Sequence, residues 1–328
     1  MKKNTFLSTL VKHLICTFLF LSGIWCAGSV YYNFAGPVGM YFFAISSLIM
    51  LIGFMRGNNF MAADLAMLEI LIIWNFCRIE PNDVFSHIKW QQPWEKRASA
   101  DFNGDIATIY NVRNFSYRTE NDYSADYITM NVDLNKVSAM DVALSHWDGM
   151  EAIAHSMLSF EFTDGQHLAF SVETRLPDGA GQGFIPGLYK QYELLIIIGT
   201  EDDLFKLRTN YRKEVLYLYR SNADPEQCKT ILRALLKASN RHVQNPRFYN
   251  SITKNCTTSL TPMLRWLNST FHGDIRLLLN GHSDELLFEL GYLKHRSGES
   301  FQELKQRRRL APVQSTDIDY SDAIRVEI

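Results

Sequence analysis

A cysteine that directly follows a helix-capping residue is the first feature of this chain that could do chemistry. Cys256 comes after Asn255 and begins the run Cys-Thr-Thr-Ser-Leu, so we expect its thiol in the first turn of a helix. Unpaired backbone N–H groups and the positive end of the helix dipole favour an anion there, which lowers the pKa of a thiol. The pattern therefore predicts a thiolate nucleophile at Cys256.

A single histidine upstream is the candidate base for this thiol. His155 lies in the strand-like run from Ala152 to Phe160. A cysteine with a histidine far away in sequence is typical of a nucleophile and its base, although spacing alone leaves both as candidates. The alternative is that Cys256 is a small buried hydrophobic residue and that His155 is a hydrogen-bonded core residue.

The same run forms the first arm of a predicted β-hairpin, whose register brings a carboxylate to the histidine. Apolar residues alternate on both arms, and a three-residue loop with a left-handed Gly165 places the two apolar sets on one face. This register pairs Phe162 with Gln166, and therefore His155 with Glu173. A carboxylate there holds the imidazole in one tautomer and stabilises its cation, which is the third role in a triad.

Composition excludes several classes of function. Of the 328 residues, 21% are charged and the formal net charge is −2, so the chain has no basic footprint for nucleic acid. Of the five cysteines, Cys16, Cys26 and Cys77 lie in the apolar first third, which does not indicate a disulfide framework. The sequence has no Cys/His spacing typical of a metal site, and we expect neither a metal nor another cofactor.

Three apolar segments, residues 14–32, 38–55 and 60–76, predict transmembrane helices. Lysines before the first segment and Arg56 after the second place these ends in the cytoplasm, so three spans put everything after Arg78 outside. If the third segment lies in the interface instead, the rest of the chain is cytoplasmic.

Two carboxylates interrupt the third apolar segment. Asp64 and Glu69 are either groups that face solvent or the helix bundle, or a functional intramembrane pair. Neither has a visible partner in the sequence, which favours the first interpretation.

These patterns divide the chain into a membrane domain (residues 1–78), a juxtamembrane linker (79–106) and an extracytoplasmic catalytic domain (107–328). Within the last domain, the glycine-rich loop 177–187 is either a plain surface connection or a lid over the site.

Apolar periodicity predicts the main elements of the catalytic domain. Residues 137–146 fit a strand or a helix, and Asp224 caps a helix that continues to about residue 242. Pro262 is expected to break the Cys256 helix after Thr261. Alternating or continuous apolar runs predict strands at residues 107–118, 127–134, 192–199 and 215–220.

Short motifs follow one another in a specific order along the chain. They are Asn111-Val-Arg113-Asn-Phe115-Ser-Tyr117-Arg118, Ile153-Ala-His155-Ser-Met-Leu-Ser-Phe160, Ser171-Val-Glu173-Thr-Arg175, Tyr192-Glu-Leu, Leu207-Arg-Thr-Asn-Tyr-Arg212, Phe248-Tyr-Asn250, Asn255-Cys256-Thr-Thr, Leu278-Leu-Asn-Gly281 and Tyr320-Ser-Asp-Ala-Ile-Arg325. Together with the three apolar segments, they resemble the bacterial family named for the Lnb N-terminal periplasmic domain. The resemblance covers nearly the whole chain.

This resemblance implies an α+β fold class. N-terminal transmembrane helices would precede a circularly permuted papain-like domain of the NlpC type, with an antiparallel sheet and a nucleophile-bearing helix. Cys256 matches the nucleophile of the family and His155 the base, whereas the role of Glu173 rests more on the hairpin register. We expect substrate contacts from residues near these positions, namely Arg175, Tyr249, Asn255 and Thr257.

The arginines of these motifs have two interpretations. They either bind a lipid phosphate or acyl-donor head group, or form ordinary ion pairs. The residues concerned are Arg113, Arg175, Arg208 and Arg212.

Three functions are compatible with these features. Because Lnb is associated with N-acylation of bacterial lipoproteins, the resemblance implies a multi-pass inner-membrane thiol acyltransferase. Its catalytic domain would be periplasmic, and its partners would be membrane lipids and lipoproteins. The same chemistry would serve a cysteine amidase or peptidase of cell-wall peptides. A non-catalytic membrane scaffold with a buried, unreactive Cys256 is the third hypothesis.

Overall fold

The structure, a computed structural model, describes residues 2–147, 149, 151–264, 274, 276, 280–313 and 319–325. The chain divides into two compact units, which are described separately. Unit 1 comprises Met1–Ile88 and Gly183–Gln191, and unit 2 comprises Lys89–Gln182 and Tyr192–Ile328. Leu278 and Leu279 of the motif ending at Gly281 lie outside the described residues.

The helices are α1 (Lys2–Val30), α2 (Gly36–Met55), α3 (Asn59–Arg78), α4 (Pro81–Phe85), α5 (Phe184–Leu188), α6 (Glu201–Lys206), α7 (Pro225–Gln244), α8 (Cys256–Leu264), α9 (Ser283–Glu289), α10 (Phe301–Arg307) and α11 (Tyr320–Ala323). Wider π-helical turns follow α1 (Tyr31–Ala35) and α6 (Leu207–Tyr211). The strands are β1 (Ser99–Asn103), β2 (Ile106–Arg113), β3 (Ser116–Tyr117), β4 (Tyr123–Ser124), β5 (Tyr127–Asp133), β6 (Val137–His146), β7 (His155–Phe162), β8 (His167–Arg175), β9 (Glu193–Gly199) and β10 (Val215–Arg220).

Unit 1 begins with a hairpin of two apolar helices. The π-helical turn after α1 ends at Gly36, whose positive φ of 59° lets the chain reverse. Leu19 packs with Leu51 far from this turn, and Cys26 packs with Phe43 nearer to it. The helix α2 therefore runs antiparallel to α1.

The third helix packs on this hairpin and runs parallel to α1. Leu65 joins the cluster of Leu19, and one turn further along both helices the Ser22 hydroxyl donates to Glu69 Oε2 at 2.6 Å. Glu69 is 3% exposed and faces the bundle, whereas Asp64 is exposed. The two carboxylates therefore do not form a pair.

The outer surface of unit 1 is apolar. Two helical stretches, Ser8–Met55 and Asn59–Arg78, have the length and apolarity to cross a membrane. Large apolar side chains point away from the bundle, among them Phe18 (70% exposed), Val38 (74%) and Phe42 (76%). This surface fits a hydrocarbon environment.

A segment from late in the chain belongs to unit 1. In residues 183–191, Tyr189 fills the space over Gly28, where a Cβ would lie 2.2 Å from the tyrosine hydroxyl. Lys190 Nζ donates to carbonyl groups at the end of α3. Residues 183–187 of the predicted loop 177–187 therefore belong to unit 1, and the residues that follow them contact its helices.

Unit 2 is organised around one eight-stranded sheet. The strand order is β1-β2-β9-β8-β7-β6-β10, and β5 also pairs with β2. All ladders are antiparallel except a parallel bridge between Arg113 and Gly199. The α+β fold class is thus confirmed with a mixed rather than a purely antiparallel sheet.

Both faces of this sheet are buried. On β7 and β8 the even-numbered residues enter a core with α7 and α8, while Met157 and Ala169 enter a second core with α6 and α11. The rings of Phe160 and Phe170 meet edge to face at 5.6 Å, and burying each side chain stabilises the fold by about 2–3 kcal/mol. A slip of one residue would lose this burial, so the cores fix the register of the hairpin.

Three local predictions are refined or corrected. Ser99–Asn103, predicted as linker, is strand β1, and its backbone at Ala100 is bonded by the side chain of Asn240. The ambiguous segment 137–146 is a strand. The helix α8 does not end at Thr261 but continues through Pro262 to Leu264. A proline removes only one backbone hydrogen bond of a helix, and the remaining hydrogen bonds of α8 are sufficient here.

Candidate active site

Cys256 is the first residue of α8, and Asn255 caps this helix, as the sequence predicts. The Asn255 Oδ1 accepts a hydrogen bond from the backbone N–H of Thr258 at 3.0 Å, and the Thr258 hydroxyl accepts one from the N–H of Asn255 at 2.9 Å. This reciprocal cap places the thiol at the positive end of the helix, where the first N–H groups have no acceptor within the helix. Cys256 is partly exposed.

The hairpin of β7 and β8 has the register that the burial pattern predicts. The backbone N–H of Phe162 donates to the carbonyl of Gln166 at 3.0 Å, and Gly165 has a φ of 82°. His155 therefore stands opposite Glu173, with 3.2 Å between its Nε2 and the carboxylate Oε1. The prediction that Glu173 faces His155 is confirmed.

Ser171 links the histidine to the carboxylate. Its Oγ lies 2.6 Å from His155 Nε2 and 2.6 Å from Glu173 Oε1. An ionised carboxylate only accepts hydrogen bonds, so the hydroxyl must donate to Glu173 and accept from His155. This assigns the ring hydrogen to Nε2, and His155 also lowers the pKa of the Cys256 thiol.

The electrostatics of the site favour an ion pair between the imidazole and the thiol. Burial alone would lower the pKa of His155, but the Glu173 carboxylate and the hydrogen bond to Cys256 raise it to about 9. Burial opposes ionisation of Cys256, yet the hydrogen bond and charge of His155 lower its pKa below the ordinary value. Against the effect of burial, the charge of His155, together with Arg208 at 3.0 Å, holds the pKa of Glu173 well below its usual range.

Asn280 ties the cysteine to the chain that enters β7. Its Oδ1 accepts from the backbone N–H of Ala154 at 2.9 Å, and its Nδ2 donates to the Ala154 carbonyl. Nδ2 also lies 2.5 Å from Thr257 Oγ1 and 3.8 Å from Cys256 Sγ. Gly281 permits this close approach, since a Cβ there would lie 1.8 Å from a carbonyl oxygen of the neighbouring segment.

The four predicted substrate contacts have different surroundings. Asn255 and Thr257 make hydrogen bonds that position the thiol. Burial raises the pKa of Tyr249, and the charge of Cys256 raises it further, which indicates that Tyr249 lies near the thiol. Arg175 is 5% exposed and pairs with Glu193 at 3.1 Å, and its contact with substrate stays a prediction.

The remaining motif arginines form ion pairs, in agreement with the second interpretation. Arg113 makes a two-pronged contact with the buried Asp203, with distances of 2.9 and 2.8 Å. Arg212 pairs with Glu120 at 3.1 Å. Arg208 donates to Glu173 and so contacts a predicted catalytic residue directly.

Two residues of the site were not singled out from the sequence: Ser171 and Asn280. Ser171 could have been found, because it lies two residues before Glu173 and so shares its face of β8. The Asn280–Gly281 pair is a weaker signal, since its partner Ala154 is 126 residues away in sequence.

The comparison with protein families identifies the segment that carries this site. The family described as the Lnb N-terminal periplasmic domain matches residues 123–281, which include His155, Glu173 and Cys256. No curated protein and no solved structure matches the chain. Within the described residues, no group of three or more His, Cys, Asp or Glu side chains could hold a metal ion.

Proposed function

Because the chain belongs, through residues 123–281, to the family of the Lnb N-terminal periplasmic domain, we propose that it is a membrane-anchored thiol acyltransferase. The acyl donor is a membrane lipid and the acceptor is an amine, such as the N-terminus of a lipoprotein. The observation that carries the proposal is the hydrogen-bonded series of His155, Ser171 and Glu173, together with the lowering of the Cys256 pKa by His155.

In the first step, the Cys256 thiolate attacks the ester carbonyl of the lipid. Backbone N–H groups of the first turn of α8 stabilise the oxyanion. The C–O bond then breaks, and the His155 imidazolium gives its proton to the leaving alkoxide. The product is a thioester on Cys256 and a deacylated lipid.

In the second step, the acceptor amine attacks the thioester carbonyl. The C–S bond breaks, the nitrogen loses a proton to His155, and the thiolate and imidazolium are restored. Glu173 and Ser171 keep the ring oriented throughout, so that Nδ1 exchanges the proton.

The membrane helices support a lipid as the acyl donor. The family and the apolar helices fit a membrane protein with a periplasmic domain. We propose three spans, with Lys12 and Arg56 on the cytoplasmic side and the uncharged turn between α1 and α2 outside. The chain after Arg78 is then periplasmic, which keeps the thiol in the compartment of the lipoproteins.

The experiment is to trap the acyl-enzyme. Full-length protein in lipid nanodiscs is incubated with a phospholipid that carries an alkyne at the end of its acyl chain, without acceptor. We expect a hydroxylamine-sensitive acyl adduct on the wild type, and its loss in Cys256→Ser and His155→Gln. The matched control is Cys77→Ser, which removes another solvent-accessible thiol and should label like the wild type.

Adding an acceptor separates the remaining hypotheses. A lipopeptide with a free amine should receive the acyl chain as an amide, whereas a hydrolase would release free fatty acid. A cell-wall peptide offered in parallel tests the amidase alternative. Equal adduct on wild type and Cys256→Ser would contradict the thiol mechanism.

A further inference from the structure

A cavity lies at the end of β7 away from the thiol. Its volume is about 470 Å³, and it opens beside Glu161 and Arg220. Glu161 is six residues further along β7 than His155, which corresponds to about 20 Å of strand. The cavity is therefore separate from the site of Cys256.

The walls of this cavity are basic. Apart from Glu161, every lining residue carries a positive charge or an imidazole: Arg220, Lys294, His295, Arg296, Arg307 and Arg308. No large apolar side chain lines it, so it does not suit an acyl chain. A volume of this size is typical of sites for small molecules.

Part of this positive charge is already balanced. Arg220 pairs with Asp141 at 2.9 Å and with Glu161 at 2.6 Å, and Arg307 pairs with Glu299 at 2.7 Å. These pairs fix the guanidinium groups in the floor and wall of the cavity. The carboxylates of these pairs do not balance the charges of Lys294 and Arg296.

The excess charge comes from two other residues. Lys294 and Arg296 are exposed at the rim, and neither side chain has an ion-pair partner among the described residues. Arg308 is 5% exposed at the floor, and burial together with the charge of Arg307 lowers its pKa to about 10. Cations held so close repel one another, and a bound anion would relieve that repulsion.

We propose that this cavity binds a phosphate-bearing ligand. Phosphate oxygens accept paired hydrogen bonds from the planar guanidinium group, which explains the predominance of arginine over lysine in the lining. The rim residues Lys294 and Arg296 attract the ligand from solution, and the arginines behind them hold it. The site is independent of the acyl-transfer chemistry proposed for Cys256.

The test is calorimetric titration of the full-length protein in detergent with sodium pyrophosphate. The variant Lys294→Gln/Arg296→Gln should bind at least about fivefold more weakly, because two cations that attract the anion are removed. The matched control is Lys237→Gln/Arg241→Gln, which also removes one exposed lysine and one exposed arginine, but from α7. It should bind pyrophosphate like the wild type.

Two further arms complete the experiment. Short-chain phosphatidic acid that displaces pyrophosphate, where phosphatidylcholine does not, would assign the site to a lipid head group; no displacement would assign it to a soluble phosphate compound. Cys256→Ser should bind pyrophosphate unchanged, so failure of the acyl-transfer proposal would not affect this result. Absence of pyrophosphate binding, or equal loss in both double variants, would overturn the proposal.

Discussion

His155 is held by a hydroxyl and a carboxylate on its own sheet, and this determines which of its nitrogens can act. Ser171 accepts from Nε2 and donates to Glu173, so the ring cannot turn without breaking its short hydrogen bond to Ser171. The other ring nitrogen is then free to gain or lose a proton. Such orientation, rather than a large pKa shift of the thiol alone, is what makes a cysteine at a helix start useful as a nucleophile.

Removing the carboxylate tests this arrangement. In the wild type, thioester formation should decline as pH rises through about 9, where the imidazolium loses its proton. Glu173→Gln removes the main charge that raises this pKa, so burial dominates and the decline should move toward 6.5 or below. The rate at pH 7.5 should fall at least about tenfold. The measurement is the pH profile of kcat/KM for transfer from the alkyne lipid.

A serine pair provides the control for the bridging hydroxyl. Ser171→Ala should lower the same pH limit by a smaller amount, because the carboxylate remains near the ring. Ser138→Ala removes a hydroxyl that donates to a backbone carbonyl elsewhere on the sheet, and it should leave the profile unchanged. Identical profiles for Ser171→Ala and Ser138→Ala would show that the hydroxyl does not orient the ring.

At the scale of elements, the site depends on two segments that touch the start of β7. The helix α8 brings the thiol, and the turn before α9 brings Asn280 and Gly281 against the chain at Ala154. The backbone N–H of Gly281 donates to the Ala152 carbonyl at 3.1 Å, which fixes the distance between these segments. The geometry of the thiol is therefore set by packing as well as by its own helix.

Gly281→Ala should disturb this contact. The added methyl group would lie 1.8 Å from a backbone carbonyl oxygen, so the turn must move away from β7. We expect a loss of about 1–3 kcal/mol in the free energy of unfolding and a weaker acyl adduct. Urea unfolding followed by tryptophan fluorescence measures the first effect. Gly181→Ala is the control, since a Cβ there meets nothing within 4 Å; equal stability of both variants would contradict the argument.

The sequence predicted the parts of this arrangement that depend on local patterns. Alternating apolar residues on β7 and β8 were sufficient to place Glu173 opposite His155, because both faces of the sheet are buried and a slip would be costly. The Asn255 cap is likewise a local signal. Asn280 was not predicted, since its bonds to Ala154 depend on the tertiary fold. Strand β1 was not predicted because its short, polar sequence resembles a linker.

At the scale of the whole molecule, the proposed three spans predict the compartment in which the thiol would act. The helix α1 is antiparallel to α2 and parallel to α3, so three spans would bring the turn at residues 31–35 and the end of α3 to one side of the membrane. Lys12 and Arg56 belong to the other side. Basic residues near short loops remain cytoplasmic, so the proposed three spans would place everything after Arg78 in the periplasm.

Cysteine accessibility in cells tests this orientation. In a background of Cys77→Ser/Cys256→Ser, the exposed positions Asn59 and Glu80 are changed one at a time to cysteine. With the outer membrane permeabilised, a membrane-impermeant maleimide should label Glu80→Cys at least about tenfold more than Asn59→Cys, because a charged reagent does not cross the hydrocarbon core. Both should label after lysis. The reverse pattern would place the thiol in the cytoplasm, and comparable labelling before lysis would mean that the third helix lies in the interface, in which case lipoprotein amines could not be the acceptor.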